Sequence, residues 1–180
     1  MDEFTELLRS EFGPYAPLTD LQMEQLRRHH DLLMRWNRKI NLTRIIELRE
    51  SVQLNYCESL FLAKSLPPGP LRIVDVGSGA GFPGVPVAVY RPDCLFDLVE
   101  SHHRKAAFLR ESTRDLANVR VIASRAEDCS PEYDWLISRA VRADDVRKLG
   151  LAPNFALLTS GEEGGKLPWG LERRLAISRV

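Results

Sequence analysis

The sequence has few cysteines, and its charges are evenly balanced. Its three cysteines are scattered and include no Cys-x-x-Cys pair, so neither a disulfide framework nor a zinc motif is predicted. We expect them to be small buried side chains in a reducing compartment. The 25 basic and 25 acidic residues cancel. This balance excludes a global basic field for nucleic acid, although local patches can still provide one.

Long hydrophobic runs are also missing. No uncharged apolar stretch approaches membrane-spanning length, and the acidic N-terminus lacks the basic start and apolar core of a signal peptide. We therefore expect a cytoplasmic protein without a membrane partner. A chain of 180 residues predicts one compact domain with a sizeable core. We expect it to be a monomer.

The residue types of nucleophilic catalysis and metal binding form no pattern either. The sequence contains no recognisable Ser/His/Asp or Cys/His constellation. Its four histidines form the adjacent pairs His29–His30 and His102–His103. Neighbours in sequence do not share a helical face, so no metal site is predicted.

The first third of the chain has a helical pattern. A capping box of Thr19 and Gln22 predicts a helix start, and Asn41 and Thr43 predict its end. A second helical stretch runs from about Leu48 to Ser65 and is halted by a Pro-Pro-Gly-Pro break. We expect residues 1–66 to form a helical extension that packs on the rest of the protein.

Beyond the break, the pattern alternates between strand and helix. An amphipathic helix is predicted at residues 104–117. The alternation predicts an α/β core over residues 71–180, with a mainly parallel sheet, helices on both faces and the last strand at the outer edge. The predicted strands cover residues 71–77, 94–101, 118–124, 133–141, 154–161 and 171–180.

Three glycines follow the first predicted strand, at the edge of the sheet where such folds bind ligands. Gly77, Gly79 and Gly81 permit a left-handed backbone and let a ligand approach without an intervening Cβ. Two cofactors fit the pattern. Residues 79–84 match the Gly-x-Gly-x-x-Gly of dinucleotide-binding proteins, with Glu100 about 20 residues on as a ribose ligand. Asp75 begins the pattern Asp-x-Gly-x-Gly-x-Gly, which is typical of proteins that bind S-adenosylmethionine.

Asp75 favours the second cofactor. Its carboxylate would repel a pyrophosphate but attract the ammonium and sulfonium groups of S-adenosylmethionine. Both cofactors contain an adenosine ribose, so Glu100 fits either of them.

Five segments make the chain similar to the bacterial 16S ribosomal RNA guanine-N7 methyltransferases, also called glucose-inhibited division protein B. The segments occur in the family's order between about Leu26 and Gly161, and together they are more specific than any one motif. They are WNRKINLTRI (36–45), DVGSGAGFPGVPVAV (75–89), VESHHRKAAFLRE (99–111), SRAED (124–128) and ISRAV (137–141).

The resemblance implies a class I S-adenosylmethionine-dependent methyltransferase fold, which is Rossmann-like, and a set of residues around the donor. Gly77 and Phe82 would line the methionine end, Glu100 would hold the ribose, and Ala126 with Glu127 would cradle the adenine. The predicted cofactor-binding residues are Asp75, Gly77, Gly79, Gly81, Phe82, Glu100, Ala126, Glu127 and Arg139.

Arg139 is the one catalytic candidate, because the resemblance places it near the donor and the entry to the target site. Guanine N7 carries a lone pair and no proton, so methyl transfer needs positioning and no general base. The implied partner is 16S ribosomal RNA or the 30S subunit, contacted through local basic clusters. Arg38 with Lys39 and Arg139 with Arg142 are the better candidates, because acids interrupt the cations of helix 104–117.

The chain departs from the family's pattern on the acceptor side. Asn55 and Glu58 replace a histidine and an aspartate, Ser160 replaces a lysine, and the C-terminal part is short. Three alternatives therefore stay open: a donor-binding protein without catalysis, a methyltransferase with another acceptor, and a nucleotide-dependent oxidoreductase.

Overall fold

A computed structural model describes residues 2–130, 132–139, 141–160, 162–170 and 172–179 of the chain. The predicted boundaries at Met1, Gly161, Leu171 and Val180 lie outside these residues, as does Ala140 within the fourth predicted strand. The helices that precede the sheet are α1 (Glu3–Phe12), α2 (Asp20–Asn37), α3 (Leu48–Ser51), a π-helical segment (Val52–Cys57) and α4 (Glu58–Ser65).

The predicted start of α2 is confirmed, whereas the helix ends earlier than predicted. Thr19 Oγ1 accepts the N–H of Gln22 at 3.2 Å, and Gln22 Oε1 accepts the N–H of Thr19 at 2.9 Å. The last helical residue is Asn37. Its Oδ1 accepts the N–H groups of Leu42 at 2.8 Å and Thr43 at 3.0 Å. The Asn37 side chain therefore holds a loop where a further helical turn was predicted.

The predicted helical stretch from Leu48 to Ser65 is confirmed, with a π-helical centre. The N–H of Glu58 donates to the carbonyl of Gln53, five residues earlier, which is the wider hydrogen bond of a π-helix. The helix ends at Ser65, and Leu66 is extended with ψ of 150° because a proline follows it.

In the described residues, seven strands form one sheet in the order β3-β2-β1-β4-β5-β7-β6. The first five run parallel, and β7 pairs antiparallel with β5, so the predicted mainly parallel sheet is confirmed. The last long strand is not the outer edge as predicted, because Gly165 and Lys166 pair with its first two residues. The strands are β1 (Arg72–Val76), β2 (Leu95–Val99), β3 (Val119–Ile122), β4 (Trp135–Arg139), β5 (Asn154–Thr159), β6 (Gly165–Lys166) and β7 (Arg174–Ser178).

Over the described ranges, three α-helices connect the strands. The helix predicted at 104–117 ends five residues early, because the hydroxyl of Thr113 donates to the carbonyl of Leu109 at 2.7 Å and closes the last turn. The three helices are α5 (Gly84–Tyr90), α6 (His103–Ser112) and α7 (Ala143–Leu149).

Apolar side chains alternate between the two faces of the sheet, and helices cover both faces, as predicted. Ile73 and Phe96 pack on the side of α4 and α5, whereas Val74 and Leu136 pack with Val146 of α7. Helices α1 and α2 form a further layer over the π-helical segment, α5 and α6. In the described ranges, no helix is both long and apolar enough to cross a membrane.

Candidate functional site

Three glycines shape the turn between β1 and α5. Gly77, Gly79 and Gly81 have φ of +73°, +56° and +90°, in the left-handed region that favours glycine. The N–H groups of Gly77 and Ser78 donate to the carbonyl of Val99 at 2.9 and 3.1 Å, which ties the turn to the end of β2. A Cβ at Gly77 would meet no atom within 4 Å, whereas one at Gly81 would lie 2.7 Å from a neighbouring methyl group. The turn is therefore open at Gly77 and packed at Gly81.

Glu100 follows β2 and is bound to the glycine turn. Its Oε2 accepts the N–H of Gly79 at 2.9 Å, and its Oε1 accepts the N–H of His102 at 2.8 Å. The residue is buried, with 8% of its surface exposed. Each carboxylate oxygen has a second lone pair, so Glu100 can still accept ligand hydroxyl groups while the turn holds it in place.

Asp75 lies beneath the turn and is fully buried. Its Oδ2 accepts the N–H of Gly84 at 3.0 Å, at the start of α5. Its Oδ1 has no hydrogen-bond partner in the described part of the chain. Burial raises the pKa of Asp75 to about 7, and the hydrogen bond from Gly84 and then the positive charge of Arg139 oppose this rise. Asp75 therefore supports the turn and keeps one carboxylate oxygen free.

His29 of α2 holds the other side of the turn. Its Nε2 lies 3.1 Å from the carbonyl oxygen of Ala80, and its Nδ1 lies 2.8 Å from the hydroxyl oxygen of Tyr56. Because a carbonyl only accepts, Nε2 carries the proton and Nδ1 accepts from Tyr56. Full burial lowers the pKa of His29 to about 3, so the ring is neutral at pH 7. Sequence reasoning missed this contact, although the spacing from Leu26 and Leu33 puts His29 on the apolar face of α2.

Arg139, the catalytic candidate, ends β4 beside the same turn. Its Nη1 donates to Asn55 Oδ1 at 2.6 Å, and its guanidinium carbon lies 5.2 Å from the centre of the Phe82 ring. Burial, and then the positive charge of Arg173, lower the pKa of Arg139 to about 10, so the group stays protonated at pH 7. Phe82 is 2% exposed. The structure thus brings together two predicted residues, Phe82 and Arg139, and adds Asn55 to them.

Glu58 forms a buried ion pair with Arg173. The Arg173 Nη2 lies 2.7 Å from Glu58 Oε2, and its Nε lies 3.0 and 3.1 Å from the two carboxylate oxygens. The Glu58 side chain is fully buried, whereas 25% of the Arg173 side chain is exposed. The pair joins α4 to the residue before β7, 115 positions later in the sequence. No sequence signal pointed to Arg173.

In the described part of the chain, no hydrogen bond or ion pair joins the remaining predicted residues to the glycine turn. Ala126 and Glu127 lie in a 3₁₀-helical turn (Ala126–Asp128) after β3, where Glu127 is exposed. Ser160 is exposed at the end of β5. Among the residues that the structure describes, no group of three His, Cys, Asp or Glu side chains is arranged to hold a metal ion.

Relatives of known sequence resemble most of this chain. The model of the family described as rRNA small subunit methyltransferase G matches residues 22–151. Curated relatives of that name are 46% identical over 129 residues in Dichelobacter nodosus and 42% identical over 127 residues in Chromobacterium violaceum. The matched parts cover 69% and 68% of this chain, and 61% and 60% of the relatives. The chain therefore spans about three-fifths of the length of these relatives.

Solved structures are similar in fold. A Plasmodium falciparum structure described as a protein-L-isoaspartate O-methyltransferase has a TM-score of 0.56 at 14% identity, over 99% of this chain and 95% of that one. Coclaurine N-methyltransferase has a TM-score of 0.51 at 16% identity, over 87% and 59%. With the strand order of the sheet, these similarities confirm the class I methyltransferase fold. The family match goes further, and the chain belongs to the rRNA small subunit methyltransferase G family.

Proposed function

We propose that the protein transfers a methyl group from S-adenosylmethionine to N7 of a guanine in 16S ribosomal RNA. The observation that carries the proposal is the contact between Glu100 and Gly79, which sets a carboxylate for ribose hydroxyls against the glycine turn. The family to which the chain belongs supports the same activity. We expect the protein to act in the cytoplasm, on the 30S subunit or its RNA.

The residues at the turn fit the donor. Gly77 leaves open space where another residue would place a Cβ, and Glu100 offers lone pairs to ribose hydroxyls. Asp75 keeps one buried carboxylate oxygen that has no hydrogen-bond partner among the described residues. Two carboxyl groups next to the turn favour a cationic donor over the pyrophosphate of a dinucleotide. Ala126 and Glu127 would then hold the adenine.

The proposed reaction depends on the orientation of the donor and the guanine and needs no proton transfer. When bound, the donor supplies a methyl group on a positively charged sulfur. Guanine N7 carries a lone pair and no proton, so the protein has to align the base and needs no general base. Arg139 is fixed by Asn55 and by the face of Phe82, and its remaining N–H groups are suited to donate to the guanine O6.

A second candidate is a donor-binding protein that does not methylate RNA. Its support is the acceptor side, where both substituted residues are engaged within the protein. Asn55 accepts from Arg139, and Glu58 binds Arg173. Ser160 leaves the end of β5 without the cation of the family's pattern.

Transfer of a labelled methyl group to 30S subunits that lack the modification distinguishes the two candidates. The modified base is mapped, and binding of S-adenosylhomocysteine is measured by calorimetry in the same preparation. Label on a guanine N7 of 16S RNA supports the first candidate, and label elsewhere assigns another acceptor. Binding without label supports the second candidate. A folded protein that does not bind S-adenosylhomocysteine contradicts both.

A further inference from the structure

A groove between α2 and α6 lies next to the proposed donor site. This α2–α6 groove has a volume of about 850 Å³. His29 of α2 contacts Ala80 in the glycine turn, and α6 begins shortly after Glu100. Both helices that line the groove are therefore connected to the proposed donor site. The lining residues that matter here are Arg35, Trp36, Arg38, Lys39, Arg104 and Glu111.

The cations of the groove lack acidic partners in the described part of the chain. Arg35, Arg38, Lys39 and Arg104 are exposed, and none of them forms an ion pair with another described residue. The arginines of the middle of α2, by contrast, pair with carboxylates at 2.6 to 2.8 Å. An exposed cation that the protein leaves unpaired stays available to an anionic ligand.

Helix stability does not explain the position of Arg104. It lies in the first turn of α6, which contains no acidic residue. The partial positive charge of a helix N-terminus disfavours a cation there. The three cations at the end of α2 are favoured by the opposite pole of their own helix, so Arg104 is the residue that points to an anionic ligand.

The loop that carries two of the cations is held in a fixed shape. Asn37 Oδ1 accepts the N–H groups of Leu42 and Thr43, and Asn37 Nδ2 donates to the carbonyl of Thr43 at 3.0 Å. Arg38 and Lys39 lie inside this closed loop. Their backbone is therefore positioned before any ligand arrives, which lowers the entropic cost of binding.

Trp36 supplies an oriented aromatic ring among these cations. It lies edge-on to Phe108, with ring centres 5.9 Å apart, and its indole N–H donates to Glu111 at 3.2 Å. The residue is only partly buried. An aromatic ring beside unpaired cations is the combination that binds single-stranded nucleic acid, because the ring stacks on a base and the cations contact phosphates.

We propose that the α2–α6 groove binds a single-stranded segment of the RNA next to the target base. Trp36 stacks on one base, and Arg35, Arg38, Lys39 and Arg104 contact the backbone phosphates. This inference rests on the proposed function, since it locates the RNA beside a methyl-transfer site.

The test compares a double variant in the groove with a matched one outside it. Arg38→Ala with Arg104→Ala removes two groove cations. Lys64→Ala with Arg110→Ala removes two exposed cations near the C-terminal ends of α4 and α6 that form no ion pair with another described residue. Affinity for a labelled single-stranded RNA of about 12 nucleotides is measured over a range of salt concentrations. We expect the groove variant to bind about tenfold more weakly at 0.15 M salt, with a salt slope lower by about 1.4, roughly 0.7 for each lost phosphate contact.

The control variant should stay within twofold of the wild type, and both variants should keep their affinity for S-adenosylhomocysteine. Trp36→Leu should weaken RNA binding about tenfold while leaving the salt slope unchanged, because it removes stacking alone. Equal weakening by the control variant overturns the inference. So does equal affinity for a duplex of the same length, or competition by polyglutamate as strong as that by RNA.

Methyl transfer separates failure of the groove from failure of the proposed function. If the wild type methylates 30S subunits and the groove variant does so with unchanged KM, the inference is wrong and the proposed function stands. If the groove variant loses RNA affinity but the wild type transfers no methyl group, the proposed function is wrong and the groove stands.

Discussion

The donor side and the acceptor side of this site are built in different ways. The donor side consists of the glycine turn and the residues that support it. The side chains of Glu100, Asp75 and His29 each bind a backbone group of this segment, as in the hydrogen bond from the N–H of Gly79 to Glu100. The acceptor side consists of the π-helical segment, α4 and the ends of β4 and β7. Its contacts join side chains that are distant in sequence, such as the ion pair between Glu58 and Arg173.

This difference explains where the chain can depart from its family. A backbone-built site needs glycine at fixed positions, because other residues strain a left-handed φ. A side-chain pair needs only complementary partners, and a different pair can occupy the same place. The departures at Asn55 and Glu58 both fall in the second class, and both residues have partners within this chain.

Arg173→Leu should have the largest effect on stability. It leaves the Glu58 carboxylate buried without a partner, which costs about 3–5 kcal/mol in the free energy of unfolding. Glu58→Gln should cost less, about 1–2 kcal/mol, because the partly exposed Arg173 can still reach water. Urea unfolding measures both values.

The same variants test the independence of the two sides. Folded Arg173→Leu protein should bind S-adenosylhomocysteine within twofold of the wild type. A large loss of affinity would show that the acceptor side supports the donor site. Equal losses of unfolding free energy in Arg173→Leu and Glu58→Gln would contradict the expectation that the buried Glu58 needs its partner more than the partly exposed Arg173 does.

Alanine at two of the glycines should separate packing from ligand binding. Gly81→Ala should destabilise the protein by about 2–4 kcal/mol, because strain adds to contacts of 2.7 Å with Val85 and 2.9 Å with His29. Gly77→Ala adds strain alone, about 1–2 kcal/mol, since its Cβ would point into open space. Melting curves measure the stabilities. Calorimetry should show at least a tenfold loss of S-adenosylhomocysteine affinity for Gly77→Ala, and unchanged affinity there would place the ligand elsewhere.

Glu100→Ala should weaken donor binding by about 1–3 kcal/mol, because it removes the ribose acceptor and leaves two backbone N–H groups without a partner. Glu100→Gln keeps one acceptor oxygen and should lose less. Glu127→Ala is the matched carboxylate control on the predicted adenine side, and it should have the smallest effect of the three. A larger loss of donor affinity for Glu127→Ala than for Glu100→Ala, measured by calorimetry, would contradict the proposed roles of these two residues.

His29→Gln should have the smallest effect at neutral pH, about 1 kcal/mol for one altered hydrogen bond. The stability advantage of the wild type should shrink in acid and then reverse. The pKa of His29 is lowered to about 3 in the folded protein, so the neutral ring contributes stability above about pH 6.5 that is lost as the pH falls towards 3. The wild type should therefore lose stability more steeply than the variant, by up to about 1.4 kcal/mol per pH unit.

Urea unfolding at pH 7, 6, 5 and 4 measures this slope, with the exposed His102→Gln as control. Burial also lowers the pKa of His30, but both proteins retain that residue, so the difference isolates His29. Parallel stability curves would mean that His29 is not neutral and buried at the turn.

The parts of the structure that could be predicted are those encoded by neighbouring residues. The capping box at Thr19, the alternation of strands and helices, and the glycine turn are each specified within a few positions. The turn also indicated Glu100, because parallel strands bring their carboxyl ends to one edge. The Glu58–Arg173 pair could not be predicted, since its partners are 115 residues apart and no local pattern links them.

Other differences arose from competition between weak local preferences. The side chains of Asn37 and Thr113 bind nearby backbone groups and end α2 and α6 before the apolar pattern does. The strand Gly165–Lys166 has only two residues, too few for a recognisable pattern. It pairs with β7 and forms the outer edge of the sheet in its place.

The π-helical segment Val52–Cys57 affects how the fold responds to a one-residue deletion. Each α-helical residue turns the helix by about 100°, so an extra residue absorbed in a wide turn leaves the flanking helices in their own phase. Deleting one residue from this segment should therefore return it to α-helical spacing and leave Glu58 facing Arg173. The alignment of α4 with the C-terminal strand should thus survive the loss of one residue, which a one-residue deletion probes and a substitution does not.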